Sequence, residues 1–149
     1  MQRKGFHFWF ATWFGTGLSP YAPGTVGTLA TLPLHLALIH LPNAVHVAAI
    51  ILVIGLGTLS AQRVADDMKV SDPQIVVIDE SAGILLALWI AGAEGWMAIV
   101  LATLLFRALD MIKPWPISAA EKLKPAGVGI MADDVVAGVA AGLVTWLLV

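Results

Sequence analysis

Charged side chains make up only 12% of this chain, about half of what a typical soluble domain carries. That shortage constrains the fold more than any motif does. The apolar share is 59% over 149 residues, more than one small core can bury. A soluble bundle of this size would turn large apolar patches toward water, where they cause association. The net charge is −2 and no basic run exists, which excludes a disordered chain, a coiled coil and a nucleic-acid-binding protein. Lipid is the solvent that fits. The expectation is a single membrane domain over residues 1–149.

There are no cysteines, so disulfides, thiolate metal sites and cysteine nucleophiles are excluded. The N-terminus pairs basic residues with an aromatic run and lacks a small-residue cleavage site, so it does not read as a signal peptide. Phe8, Trp9, Trp13 and Phe14 suit a short helix lying at the bilayer interface.

Apolar stretches recur at about 26–41, 44–61, 81–92, 96–106 and 135–149. Alone they reach roughly 17–27 Å, so several need their polar flanks to cross about 30 Å of hydrocarbon. Leu41-Pro42-Asn43 breaks the first two into a hairpin, and residues 91–95 do the same for the third and fourth. The fold expected is all-α: a polytopic membrane helical bundle of about four to five short transmembrane segments plus an N-terminal interfacial helix. Threaded this way, Arg3, Lys4, Arg63, Lys69, Arg107, Lys113, Lys122 and Lys124 fall on one face. The positive-inside tendency makes that face cytoplasmic. Of the acidic residues only Glu94 lies opposite.

The same threading collects the acidic pairs. Asp79-Glu80 begins the third segment and Asp133-Asp134 the fifth, each followed closely by Ala-Gly. One carboxylate at a helix start is explained by capping and the helix dipole. Two pairs against apolar helices need partners. Arg107 and Asp110, three apart, share a face near the end of the fourth segment, with Lys113 after them. Converging carboxylates with too few cations call for a metal, and all-oxygen ligands suit magnesium or manganese rather than zinc. Arginine and lysine beside such an ion hold phosphate.

The loop FGTGLSPYAPGTVGTLA adds Ser19 and Thr25 as hydroxyl donors to an anion at a helix start. Its pattern is neither a Walker loop nor a dinucleotide fingerprint. His35, His40 and His46 lack metal-ligand spacing and fall near the outer interface, and Asp66-Asp67 and Asp72-Pro73 read as solvated turns.

GTGLSPYAPGTVGTLA, DPQIVVIDESAG, FRALDMIKPWPI and GVGIMADDVVAG, in this order, resemble the phosphatidylglycerophosphatase A family from about Gly15 to Gly142. The resemblance implies a magnesium-dependent lipid phosphatase of the bacterial inner membrane that acts on phosphatidylglycerophosphate. It implicates Asp79, Glu80, Arg107, Asp110, Lys113, Asp133 and Asp134. Ser81 departs from the bulkier apolar residue associated with the family at that position. A Cys-based phosphatase lacks its nucleophile here, and no Asp-x-Asp triplet exists for a haloacid-dehalogenase design.

The resulting expectation is Mg2+-assisted hydrolysis of a phosphomonoester. Asp79, Glu80, Asp133 and Asp134 hold metal, Arg107 and Lys113 bind phosphate, and Asp110 or Asp134 orients water. A covalent aspartyl-phosphate stands as the alternative chemistry. A small membrane ion transporter or a cation-binding protein using the acidic helix ends is the rival class, and a homo-oligomer is compatible with the composition.

Overall fold

Each of the five apolar stretches becomes one long helix, and every one begins earlier or ends later than the apolar run itself. The computed structural model describes residues 5–149, so Arg3 and Lys4 lie outside the described residues. The elements are α1 (Phe6–Ala11), a 3-10 turn (Thr16–Leu18), α2 (Pro23–Leu38), α3 (Asn43–Met68), α4 (Ile78–Ile90), α5 (Trp96–Ile112), α6 (Ile117–Ala120) and α7 (Ala126–Leu148). No strand occurs among the described residues.

Two of these helices, α3 and α7, are long and apolar enough to cross a membrane, fewer than the four to five expected. At 26 and 23 residues they measure about 39 and 35 Å. With 16, 13 and 17 residues, α2, α4 and α5 reach only about 24, 20 and 26 Å. The shortest, α4, is the centre of the bundle, touching α2, α3, α5 and α7. Ile78, Ala82 and Leu85 face one apolar cluster, while Ile84, Ala87 and Leu88 face a second built with α5 and α7.

Glycines set how α4 and α7 meet. A Cβ on Gly83 would lie 2.5 Å from the Phe106 ring and 2.7 Å from the Asp134 carbonyl oxygen. One on Gly138 would run into the Gly83 backbone, and one on Gly142 would sit 2.8 Å from the Ala87 carbonyl oxygen. The pairs Gly83–Gly138 and Ala87–Gly142 advance together, so the helices run parallel with backbones in contact. One turn before each crossing glycine stand Asp79 on α4 and Asp134 on α7.

The start of α7 corrects the sequence reading. Asp133-Asp134 was expected at the helix start, but α7 begins at Ala126 and carries the pair in its third turn. Pro125 and the glycines after it resemble a breaker. Proline at the N-cap fits a helix entry, and Gly127 and Gly129 are needed where α7 touches Gln62 and the carbonyls of Glu121 and Leu123.

Other expectations shift for similar reasons. Of the four aromatics expected at the interface, Phe8 and Trp13 are buried while Trp9 and Phe14 stay exposed, and α1 packs on α3. Asp66 and Asp67 are exposed, as expected, and the turn that carries them is the end of α3. His35 and His46 are enclosed, their ring centroids 5.5 Å apart, and His35 Nε2 donates to the Ala93 carbonyl at 2.7 Å. That bond ties α2 to the α4–α5 turn. Ser81 is buried in a 2.9 Å hydrogen bond with Thr31 that links α4 to α2.

Gly83→Ala should lower the thermal midpoint in detergent by the equivalent of about 1–3 kcal/mol. Gly55→Ala on α3, where a Cβ meets nothing within 4 Å, should stabilise by up to about 1 kcal/mol. Differential scanning fluorimetry of the two variants measures both.

Candidate active site

Four helices and one connector deliver polar groups to a cavity of about 530 Å³ at the end of the bundle where α4 and α7 begin. The first turn of α4 contributes Asp79 and Glu80, α5 contributes Arg107 and Asp110 near its C-terminus, and Asp133 comes from α7. Lys113 caps α5 in the left-handed conformation, φ 51, a backbone state that costs a non-glycine residue about 1 kcal/mol or more. Its side chain is held by three carboxylates: Asp110 at 3.5 Å, Glu121 at 3.7 Å, and Asp133 in a close ion pair. Burial opposes the charge on Lys113, but the hydrogen bond it donates to Asp133 and the fields of Asp133, Asp110 and Asp134 outweigh it. The ammonium pKa is therefore raised above the ordinary lysine value, and the side chain stays cationic at neutral pH.

The start of α2 closes the remaining side. Gly24 and Thr25 line the cavity, and a Cβ on Gly24 would stand 2.5 Å from Glu80 Oε1 and 3.3 Å from both terminal nitrogens of Arg107. A larger residue here would push aside the tips of Glu80 and Arg107, so the glycine leaves those two side chains their present positions.

The carboxylates are not all equivalent. Asp133 Oδ2 accepts from Lys113, and its Oδ1 accepts from the Asp134 amide at 2.8 Å. Asp110 Oδ2 accepts from Arg107 at 2.5 Å. By contrast Asp79 Oδ1, Glu80 Oε2 and both oxygens of Asp134 are buried with no hydrogen-bond partner, as is Arg107 Nε. An unpartnered buried carboxylate oxygen is costly, and a cation that bonds to oxygen would offset that cost for all four. One oxygen from each of Asp79, Asp133 and Asp134 lies within 4.8 Å of the others, and the same holds for Glu80, Asp110 and Asp134. The cluster can hold a metal ion, and its donors are the hard oxygens that suit a hard divalent cation.

The structure thus brings together Asp79, Glu80, Arg107, Asp110, Lys113, Asp133 and Asp134, with Thr25 at the rim. Ser19 is not among the lining residues: its hydroxyl donates to the Tyr21 carbonyl at 2.9 Å and closes a local turn. Asp72, read from the sequence as starting a turn, is exposed at a bend and also lines the cavity. Its nearness to the IVVIDE stretch is the only signal that could have flagged it. Gly24 stood out in the sequence only as one glycine among several in its loop.

With this geometry in view, the similarity to known proteins is informative. The chain matches the family described as PgpA, phosphatidylglycerophosphatase A, over residues 9–149. The chain belongs to the phosphatidylglycerophosphatase A family. It is 38% identical to the phosphatidylglycerophosphatase A of Escherichia coli (strain K12) over 138 residues, covering 92% of this chain and 80% of that protein. It is 36% identical to the phosphatidylglycerophosphatase A of Haemophilus influenzae over 137 residues, covering 91% and 84%. A Bacteroides thetaiotaomicron protein provisionally named a phosphatidylinositol-3-phosphatase is 35% identical over 134 residues, covering 86% and 84%. No solved structure matches the chain.

Adding magnesium or manganese to the purified, chelator-treated protein should raise its thermal midpoint, since a ligand that binds only the folded state stabilises it. Asp134→Asn should abolish that rise, while Ser19→Ala should keep it. An unchanged midpoint for the parent protein would show that the cluster holds no such ion.

Proposed function

We propose that this protein is a lipid phosphatase that hydrolyses the terminal phosphomonoester of phosphatidylglycerophosphate, giving phosphatidylglycerol and inorganic phosphate. The observation that carries the reading is the meeting of unpartnered carboxylate oxygens with Arg107 and Lys113 in one cavity. Family membership supports it, because two relatives carry that activity in their names. The substrate has a phosphomonoester at one end of a glycerol and a phosphodiester at the other.

In this reading the ion is magnesium, held by Asp79, Glu80, Asp133 and Asp134, with Asp110 adjoining through the second group of oxygens. When bound, it supplies Lewis-acid charge that polarises the phosphoryl oxygens. Arg107 offers its free Nε–H to a non-bridging oxygen, and Lys113 adds a fixed positive charge beside it. Asp110 is engaged by both cations, so its role is to aim them. Asp134 has both oxygens unpartnered and is the group placed to accept a proton from the attacking water. The water oxygen bonds to phosphorus, the ester P–O bond breaks, and the proton that Asp134 takes from the water passes to the leaving glycerol oxygen. Thr25 offers a hydroxyl at the rim.

The chain is read as a multi-pass protein of the bacterial inner membrane, with the charged end facing the cytoplasm. Arg63, Lys69, Arg107, Lys113, Lys122 and Lys124 all belong to the end where α3 and α5 finish and α7 begins, the distribution expected of a cytoplasmic face. The rival reading, a cation transporter, draws on the position of Asp133-Asp134 inside α7. A transport path would have to continue past them, and there the Gly83–Gly138 contact closes the α4–α7 seam.

Asp133→Asn should lower phosphate release from phosphatidylglycerophosphate by at least about a hundredfold, with the protein still inserted. Near-normal release would remove the acidic cluster from the chemistry. Phosphatidic acid, compared side by side, tests the substrate, since faster turnover of that lipid would keep the reaction class and change its target.

A further inference from the structure

A second cavity, of about 630 Å³, adjoins the acidic one and is lined by Ser71, Asp72, residues 121–126, Gly129, Ile130 and Asp133. Asp72 and Asp133 line both cavities, so the two are neighbouring halves of one depression divided by these carboxylates. We propose that this second half is an anion subsite in which Lys122 and Lys124 hold the phosphodiester of a lipid whose phosphomonoester occupies the acidic half. The inference rests on the phosphomonoesterase reading above and concerns how that site selects its substrate.

The distribution of cations points there. Asp72, Asp79, Glu80, Asp110 and Asp133 line the acidic half against Arg107 and Lys113 alone. Both of those cations are already bound to carboxylates. A second phosphate in that half would face repulsion with no free cation to meet it. Of the other described cations, Arg63 and Lys69 line neither cavity, whereas Lys122 and Lys124 line the second. Neither lysine forms an ion pair with a described residue. The acidic residue beside them, Glu121, is engaged by Lys113 at 3.7 Å, which leaves the two ammonium groups available to an anion.

The dividing residues fit the middle of such a substrate. Both oxygens of Asp133 are occupied, by Lys113 and by the Asp134 amide. Asp72 has no hydrogen-bonded side-chain partner among the described residues, so its carboxylate is available to accept from a hydroxyl of the polyol that joins the two phosphates. A lipid with a phosphomonoester and no phosphodiester would fill only the acidic half.

The test is steady-state phosphate release by the full-length protein in neutral detergent micelles, comparing the parent with the Lys122→Ala/Lys124→Ala double variant. With phosphatidylglycerophosphate the KM should rise about tenfold while kcat stays within about twofold, the pattern of lost uniform binding. With phosphatidic acid the KM should not move. Arg63→Ala, which removes an equivalent charge away from the depression, should leave both substrates unaffected. An unchanged KM for phosphatidylglycerophosphate overturns the subsite. So does an equal rise for both lipids, which would mean that the lysines merely attract anionic surfaces. If the parent protein releases no phosphate from phosphatidylglycerophosphate, the functional reading fails first and takes the subsite with it. Activity in the parent with an indifferent double variant overturns the subsite alone.

Discussion

Backbone contact between α4 and α7 is the constraint on which the rest of the molecule depends. Gly83 and Gly138 meet without side chains between them, so the two helices approach more closely than any larger residue would permit. Asp79 and Asp134 stand one turn before those glycines, and the close approach carries their carboxylates into one cluster. The apolar share of the sequence supplies the walls: Phe106, Ile84, Leu85 and Leu88 are fully buried around the crossing. Desolvation on this scale makes unpartnered carboxylates costly, and a metal ion held among them would offset that cost.

The architecture divides the labour between the two ends of the bundle. At one end the turns are short, at residues 39–42 and 91–95, and His35 holds one of them through the Ala93 carbonyl. At the other end the connectors are longer and polar, and these line the cavities with Asp72, Lys113, Lys122 and Lys124. Arg107 and Asp110 belong to the same end because α5 returns there after the α4–α5 turn.

Much of this was legible in the sequence because charge is so scarce. With few charged residues, the hairpin at 91–95 was enough to collect Asp79, Glu80, Arg107, Asp110, Lys113, Asp133 and Asp134 on one face, and the structure places them around one site. What was not legible depends on packing. The entry of α7 looked like a loop, because proline and glycine read as breakers until a neighbouring helix shows why the glycines are there. Asp72 reads as a turn residue and lies at an exposed bend, but only the folded connector sets it at the cavity. Ser19 looked like an anion donor, but its hydroxyl had a nearer partner in the Tyr21 carbonyl. The burial of Phe8, Trp13 and His35 likewise follows from contacts between distant segments, which periodicity does not record.

The placement of the connectors has a consequence for how such a protein diversifies. The groups assigned to the chemistry sit on helices or at their ends, fixed by the α4–α7 crossing and by ion pairs that tolerate little change. The groups assigned to the remainder of the substrate sit in residues 69–77 and 113–125, outside the long helices. Insertions or exchanges in those segments can reshape the outer half of the depression while the helix contacts stay intact. On these assignments, hydrolytic machinery and lipid preference would be separable traits in this architecture, free to drift at different rates.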